Sequence, residues 1–108
     1  MTTHFPCPHL GSGVELTEER ERHVAERHPD LLPEHRNYIA LTLAEPDQVR
    51  RSKRFADARL FSRFAADVKG GRHIVVVVVS DTGARRHWII TAYMTRVLVR
   101  GDIEWQRS

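Results

Sequence analysis

Residues 87–95 read His-Trp-Ile-Ile-Thr-Ala-Tyr-Met-Thr, a run that could set several hydrogen-bonding groups in one row. Side chains alternate along a strand with period two, so Trp88, Ile90, Ala92 and Met94 would share one face. His87, Ile89, Thr91, Tyr93 and Thr95 would share the other. The first set is a core face. The second carries hydroxyls and an imidazole, groups that donate and accept without fixed charge and so suit a ligand. Thr and Tyr are also good strand formers, which accounts for part of the pattern without any ligand.

A second candidate is Arg27-His28-Pro29, at the end of a helix-like stretch. An imidazole at a helix C-terminus is favoured as imidazolium by the helix dipole, and beside Arg27 it could handle a phosphodiester. The alternative is that His28 merely bonds the last carbonyls as a cap. A third is the basic run Arg50, Arg51, Ser52, Lys53, Arg54, where Arg50, Ser52 and Arg54 alternate with Arg51 and Lys53. Charge on both sides fits a protected edge strand, or a margin that contacts phosphates with steep salt dependence. Arg63 lies mid-strand between Phe61 and Phe64, unusual company for a plain solvent residue.

Metal chemistry has a weak basis. His4, Cys7 and His9 form H-x2-C-x-H, but there is no paired-cysteine motif and no H-E-x-x-H. No phosphate-cradling loop, dinucleotide fingerprint or serine nucleophile elbow occurs, and no cofactor or metal is expected.

These residues must be positioned by a small scaffold. At 108 residues the chain suits one domain, with residues 1–14 read as an irregular N-terminal arm and 15–108 as the domain. Thr17 can cap a helix whose first turn holds Glu18 and Glu19, and Pro29 ends it near Arg27 or His28. Pro33 suits the first turn of a second helix, with Tyr38, Ile39, Leu41 and Leu43 apolar, and Pro46 stops it. Strands are expected over 48–54, 59–66, 73–80 and 86–95, with turns at Ala56-Asp57, at residues 69–72 and at 81–83. Five consecutive valines mark the third as a central strand. Past Gly101, Ile103 and Trp105 are able to pair or pack. Short connections demand antiparallel neighbours. The expected fold is therefore α+β: two N-terminal helices packed on a four-stranded antiparallel sheet, one face left partly open.

Composition narrows the setting. Fifteen of the 17 basic residues are Arg, and the net charge is +3. Arg forks bind phosphate bidentately and stack on bases, although GC-rich coding gives the same bias. No apolar run approaches the roughly 20 residues that span a bilayer, no signal-peptide pattern appears, and Cys7 stands alone. A cytoplasmic protein is expected.

The ordered set Glu19, Arg27-His28-Pro29-Asp30, Pro46-Asp47-x-Val49-x-x-Ser52 and Thr91-Ala-Tyr93-x-Thr95 resembles the phage and bacterial barnase–EndoU–colicin–RelE-like (BECR) nucleases. The resemblance covers about residues 15–105 and rests on the order of short motifs. It implies helices followed by a four-stranded antiparallel sheet, and a metal-independent ribonuclease. Many of the group are toxins that cut transfer or messenger RNA, so a cognate antitoxin or immunity protein is an expected partner besides RNA. Matched by position, His28 and Arg27, Ser52, Arg63, Thr91, Tyr93 and Thr95 are its site residues. Catalytic positions shift among branches of the group, and no lysine stands at a matched position here.

Such an enzyme deprotonates the RNA 2′-hydroxyl, stabilises a crowded phosphorane and protonates the leaving 5′-oxygen, yielding a 2′,3′-cyclic phosphate. The expected catalytic set is His28, Arg27, Arg63, Thr91 and Tyr93. Arg50, Ser52, Arg54, His87 and Thr95 would bind substrate. The rival readings are a non-catalytic RNA-binding module and a protein-interaction module.

Overall fold

The computed structural model describes residues 1–53, 58–81, 83–98 and 101–108. In chain order these form β1 (Thr3–Cys7), a 3-10 turn (Pro8–Leu10), β2 (Ser12–Leu16), α1 (Glu18–Arg27), α2 (Arg36–Ala44) and β3 (Gln48–Arg51). Next come β4 (Ala58–Ala65), β5 (Arg72–Asp81), β6 (Arg86–Thr95) and β7 (Asp102–Gln106). All seven strands join one sheet in the order β1-β2-β6-β5-β4-β3-β7.

This corrects the expected fold. The four anticipated strands do pair antiparallel as β3-β4-β5-β6, but they are the middle of a seven-stranded mixed sheet. The helices are not N-terminal, because residues 1–14 supply a β-hairpin rather than an irregular arm. Phe5, Cys7, Val14 and Leu16 are its buried side chains, an alternation of period two that Pro6 and Pro8 obscure. Proline is tolerated in β1 because that strand is an edge. The turn at Ala56-Asp57 falls outside the described residues, as does Arg54.

One face of the sheet is covered by helices. Thr17 caps α1, its Oγ1 accepting the Arg20 N–H at 3.2 Å, and Glu18, Glu19 and Glu21 complement the positive helix end. Val24 of α1 and Ile39, Thr42 and Leu43 of α2 are fully buried. They meet Leu16, Val49, Phe61, Ile74, Val76, Val78, Ile89 and Ala92 from the sheet. The second face carries Ala58, Leu60, Val75, Val77, Val79, Ile90 and Tyr93, partly covered by Leu98. β7 docks on β3 at the far edge of the sheet. Gly101 permits that docking, since a Cβ there would sit 2.6 Å from the Arg51 carbonyl oxygen.

β2 meets β6 in parallel through a single ladder pair, Glu15 opposite Trp88. Arg86 reinforces it, donating from Nε and Nη2 to the two Glu15 oxygens at 2.8 and 3.0 Å while lying over the Trp88 ring. That hydrogen bond holds the Glu15 carboxyl below the usual carboxylate range.

A β-bulge divides β6. Val77 faces Thr91 but Val78 faces Ile89, so Ile90 is the extra residue. A one-residue slip reverses which face each side chain takes. His87 and Ile89 therefore share the helix-covered face with Ala92 and Met94, whereas Trp88, Thr91, Tyr93 and Thr95 take the open one. The uninterrupted alternation expected over 87–95 is broken there.

Candidate functional site

The open face gathers part of the expected site. Thr91 and Tyr93 stand on it opposite Val77 and Val75, and Arg50 opposite Leu60. Past its one pair with β2, the edge of β6 is met by α1, whose C-terminal end brings His28 to Tyr93. The two ring centroids are 5.9 Å apart at an interplanar angle of 39°. His28 does cap α1, but with its backbone: its N–H donates to the Val24 carbonyl at 2.7 Å, and its own carbonyl accepts from Leu31 at 3.0 Å. Among the described residues the imidazole makes no hydrogen bond, so its nitrogens are available for chemistry. Arg27, the last residue of α1, is exposed beside it. Burial raises the Tyr93 phenol above its ordinary value, which keeps it a neutral hydrogen-bond donor.

Other expected residues go elsewhere. Arg63 lies opposite Ile74 on the helix-covered face, and its Nη1 donates to the Glu45 carbonyl at 2.6 Å, closing the C-terminus of α2. Satisfying a terminal carbonyl with a cation suits the negative helix end. This corrects its placement near a scissile phosphate. We expect Arg63→Ala to lower stability by about 1–2 kcal/mol in urea denaturation and to leave RNA affinity unchanged; a weakened RNA affinity with normal stability would contradict the capping role. His87 is likewise on the wrong face, its Nδ1 2.7 Å from Ser80 Oγ, and does not meet Tyr93 or Thr91. Thr95 is on the open face, but its hydroxyl donates to the Val97 carbonyl at 2.8 Å and shapes a turn. Ser52 follows β3 and donates its N–H to Ala58 at 3.0 Å.

His73, not among the residues expected from the sequence, joins the site. The residue after Arg72 at the start of β5, it lies on the same face, opposite Thr95 and diagonal to Tyr93, a separation of roughly 7–8 Å. Its ring meets Phe64 edge-on at 5.1 Å between centroids. The signal was available, since the alternation His73, Val75, Val77 puts the imidazole on one face with two valines. The valine run that follows masks it, because five consecutive valines are the stronger signal, for burial.

A second polar cluster occupies the helix-covered side near β7. Glu104 Oε2 lies 2.6 Å from His9 Nε2 and accepts from Arg59 Nε at 2.9 Å, while its Oε1 accepts from Arg51 Nη1 at 3.3 Å. Burial alone would raise this carboxyl, but the bonds from His9 and Arg59 and the Arg59 charge outweigh it and hold the pKa below the ordinary 4.5. The neighbouring cleft, walled by Pro8, Pro46 and Trp105, has a volume of about 540 Å³. Its polar groups are consumed by one another, however: Arg107 Nη2 donates to the Glu45 carbonyl at 2.8 Å. We read it as a clamp on β7. A depressed folded-state pKa stabilises fully above the ordinary value and loses that contribution as pH falls from about 4.5 through the lowered one. Glu104→Gln should therefore lower stability at pH 7 and flatten its acid decline below pH 4.5, read by thermal melts across pH; parallel declines in both proteins would contradict the clamp.

His4, Cys7 and His9 do not converge. Alternation turns Cys7 into the core, where burial raises its thiol, and His9 is held by Glu104. Among the described residues no group of three or more His, Cys, Asp or Glu is placed to hold a metal ion, and no helix is long and apolar enough to cross a membrane.

Comparison with protein-family models, curated proteins and solved structures found no match. The resemblance to the BECR nucleases accordingly rests on the motifs, while the sheet departs from the layout it implied.

Proposed function

We propose that the protein is a metal-independent endoribonuclease that works on the open face of its sheet. The observation that carries this reading is the placement of two imidazoles, His28 and His73, on either side of a neutral phenol, Tyr93. Metal-free RNA cleavage needs that trio: a base, an acid, and a donor aimed at the phosphate.

In the proposed reaction His73 takes the proton from the 2′-hydroxyl, whose oxygen forms a bond to phosphorus. The bond from phosphorus to the 5′-oxygen breaks, and His28 gives that oxygen its proton. The Tyr93 phenol and Thr91 hydroxyl donate to the non-bridging oxygens, where the extra negative charge develops. Arg27, beside His28, neutralises part of that charge. The products are a 2′,3′-cyclic phosphate and a 5′-hydroxyl. A toxin-like enzyme of this kind would be restrained by an antitoxin or immunity protein that covers the same face.

The test is incubation of the pure protein with total transfer RNA in EDTA, followed by end-group analysis of the fragments. Discrete fragments ending in cyclic phosphate are expected. Intact RNA would overturn the reading.

A non-catalytic RNA-binding module is the second reading, favoured by one observation. Arg63, the cation expected at the phosphate, is spent on the end of α2. Salt-sensitive binding of transfer RNA with no cleavage at any pH would establish it instead.

A further inference from the structure

A row of side chains crosses the open face from Tyr93 through Val75 and Ser62 to Gln48 and Gln106, one residue from each of five adjacent strands. Its far half lines a pocket of about 240 Å³. Leu98 lies along one side and His73 borders it at the end nearer Tyr93. Drug-sized sites run to roughly 300–1,000 Å³, so this one suits a single flat heterocycle.

The lining is made for hydrogen bonding in a plane. Gln48 Oε1 accepts from Arg50 Nε at 2.8 Å, which fixes the amide and leaves its NH2 as the group to be used. Asp47 is also held, Oδ2 accepting the Phe64 N–H at 2.7 Å and Oδ1 lying 3.7 Å from Arg107 Nε. Among the described residues, the Gln106 amide, the Ser62 hydroxyl and the His73 ring have no hydrogen-bond partner. Ser62 is only 3 % exposed as a residue, and its hydroxyl, which has no protein partner, is accessible at the pocket rather than sealed in the core. A hydroxyl open to the pocket can bond a polar ligand without giving up a protein partner.

We infer that this pocket binds one nucleobase, that of the nucleotide whose 2′-hydroxyl attacks, and so sets the base preference of the enzyme. The inference rests on the ribonuclease reading for its placement. Ser62 lies two strand spacings from Tyr93, roughly 10 Å, the span from a phosphate to the base of its own nucleotide. Amide side chains read base edges in pairs of hydrogen bonds, and Leu98 offers an apolar surface for the ring.

The four nucleoside 3′-monophosphates, titrated into the protein and followed by amide chemical shifts, test this directly. One base should bind about tenfold more tightly than the weakest, with shifts at Ser62, Gln48 and Gln106. The pair Gln48→Leu and Gln106→Leu should lose that discrimination, and Gln106→Ala alone, at an exposed position, should reduce it should the pair fail to fold. His28→Ala should keep it. In parallel, sequencing of RNA fragments should show the same base 5′ to the cut in wild type and a flattened preference in the variants. Equal binding of all four nucleotides, or an unchanged preference in the variants, overturns the pocket while leaving the nuclease reading intact. Discrimination among nucleotides by a protein that never cleaves RNA upholds the pocket and overturns the nuclease reading.

Discussion

Replacing His28 with alanine is expected to lower RNA cleavage about 100- to 10,000-fold, the usual contribution of a positioned acid or base. The fold should be untouched to within about 0.5 kcal/mol. The structural part of this residue is played by its main chain, whose N–H and carbonyl make the bonds at the end of α1, and alanine keeps both. Only the ring beside Tyr93 is lost. His73→Ala should cost a comparable factor, and the two can be told apart by the leaving group. An RNA carrying sulfur in place of the bridging 5′-oxygen departs without a proton. The His28 variant should recover most of its rate on that substrate, and the His73 variant should not. Full activity of His28→Ala on ordinary RNA would remove the residue from the chemistry, and rescue of the His73 variant would reverse the two roles.

The largest expected stability effect lies at Phe61. Its ring is fully buried between Val49 of β3 and Val76 of β5, and His9 meets it edge-on at 5.8 Å between centroids. Phe61→Ala should destabilise the fold by about 3–5 kcal/mol, from lost transfer energy and the cavity left behind. That is a large part of the roughly 5–15 kcal/mol available to a small domain. The loss should also loosen the clamp on β7, because Phe61 backs the imidazole that Glu104 holds. Urea denaturation of both proteins reads the difference. A cost below about 1 kcal/mol would mean that the sheet and helices close over the gap, and that packing on this side is not as tight as the burial implies.

Local signals in the chain were reliable and long-range ones were not. The ends of β6, the cap at Thr17 and the central place of β5 all follow from residues within a few positions of each other. Such signals act through backbone geometry and periodicity, which a short window contains. The hairpin of β1 and β2 was hidden because prolines at an edge look like an irregular segment. The bulge at Ile90 has no glycine to mark it, and it alone decides that His87 leaves the open face while Tyr93 and Thr91 remain. The capping role of Arg63 depends on where α2 ends in space, and the Glu104 cluster joins residues 95 positions apart. Half of the candidate site was therefore readable, namely His28, Arg27, Thr91 and Tyr93. The face of His73 was legible from its alternation with Val75 and Val77, but its place beside Tyr93, like the pocket around Ser62, required the strand register.

Mapping a non-cleavable RNA onto the protein shows whether substrate lies on the open face of the sheet. A short RNA with 2′-O-methyl groups blocks the attacking hydroxyl and can be titrated while amide and imidazole resonances are followed. Shifts are expected at His28, His73, Thr91 and Tyr93, weakening as salt is raised, with His87 and Arg63 unmoved on the covered face. Shifts confined to His87, Arg63 or the cleft at Trp105, or none at all, would contradict that placement.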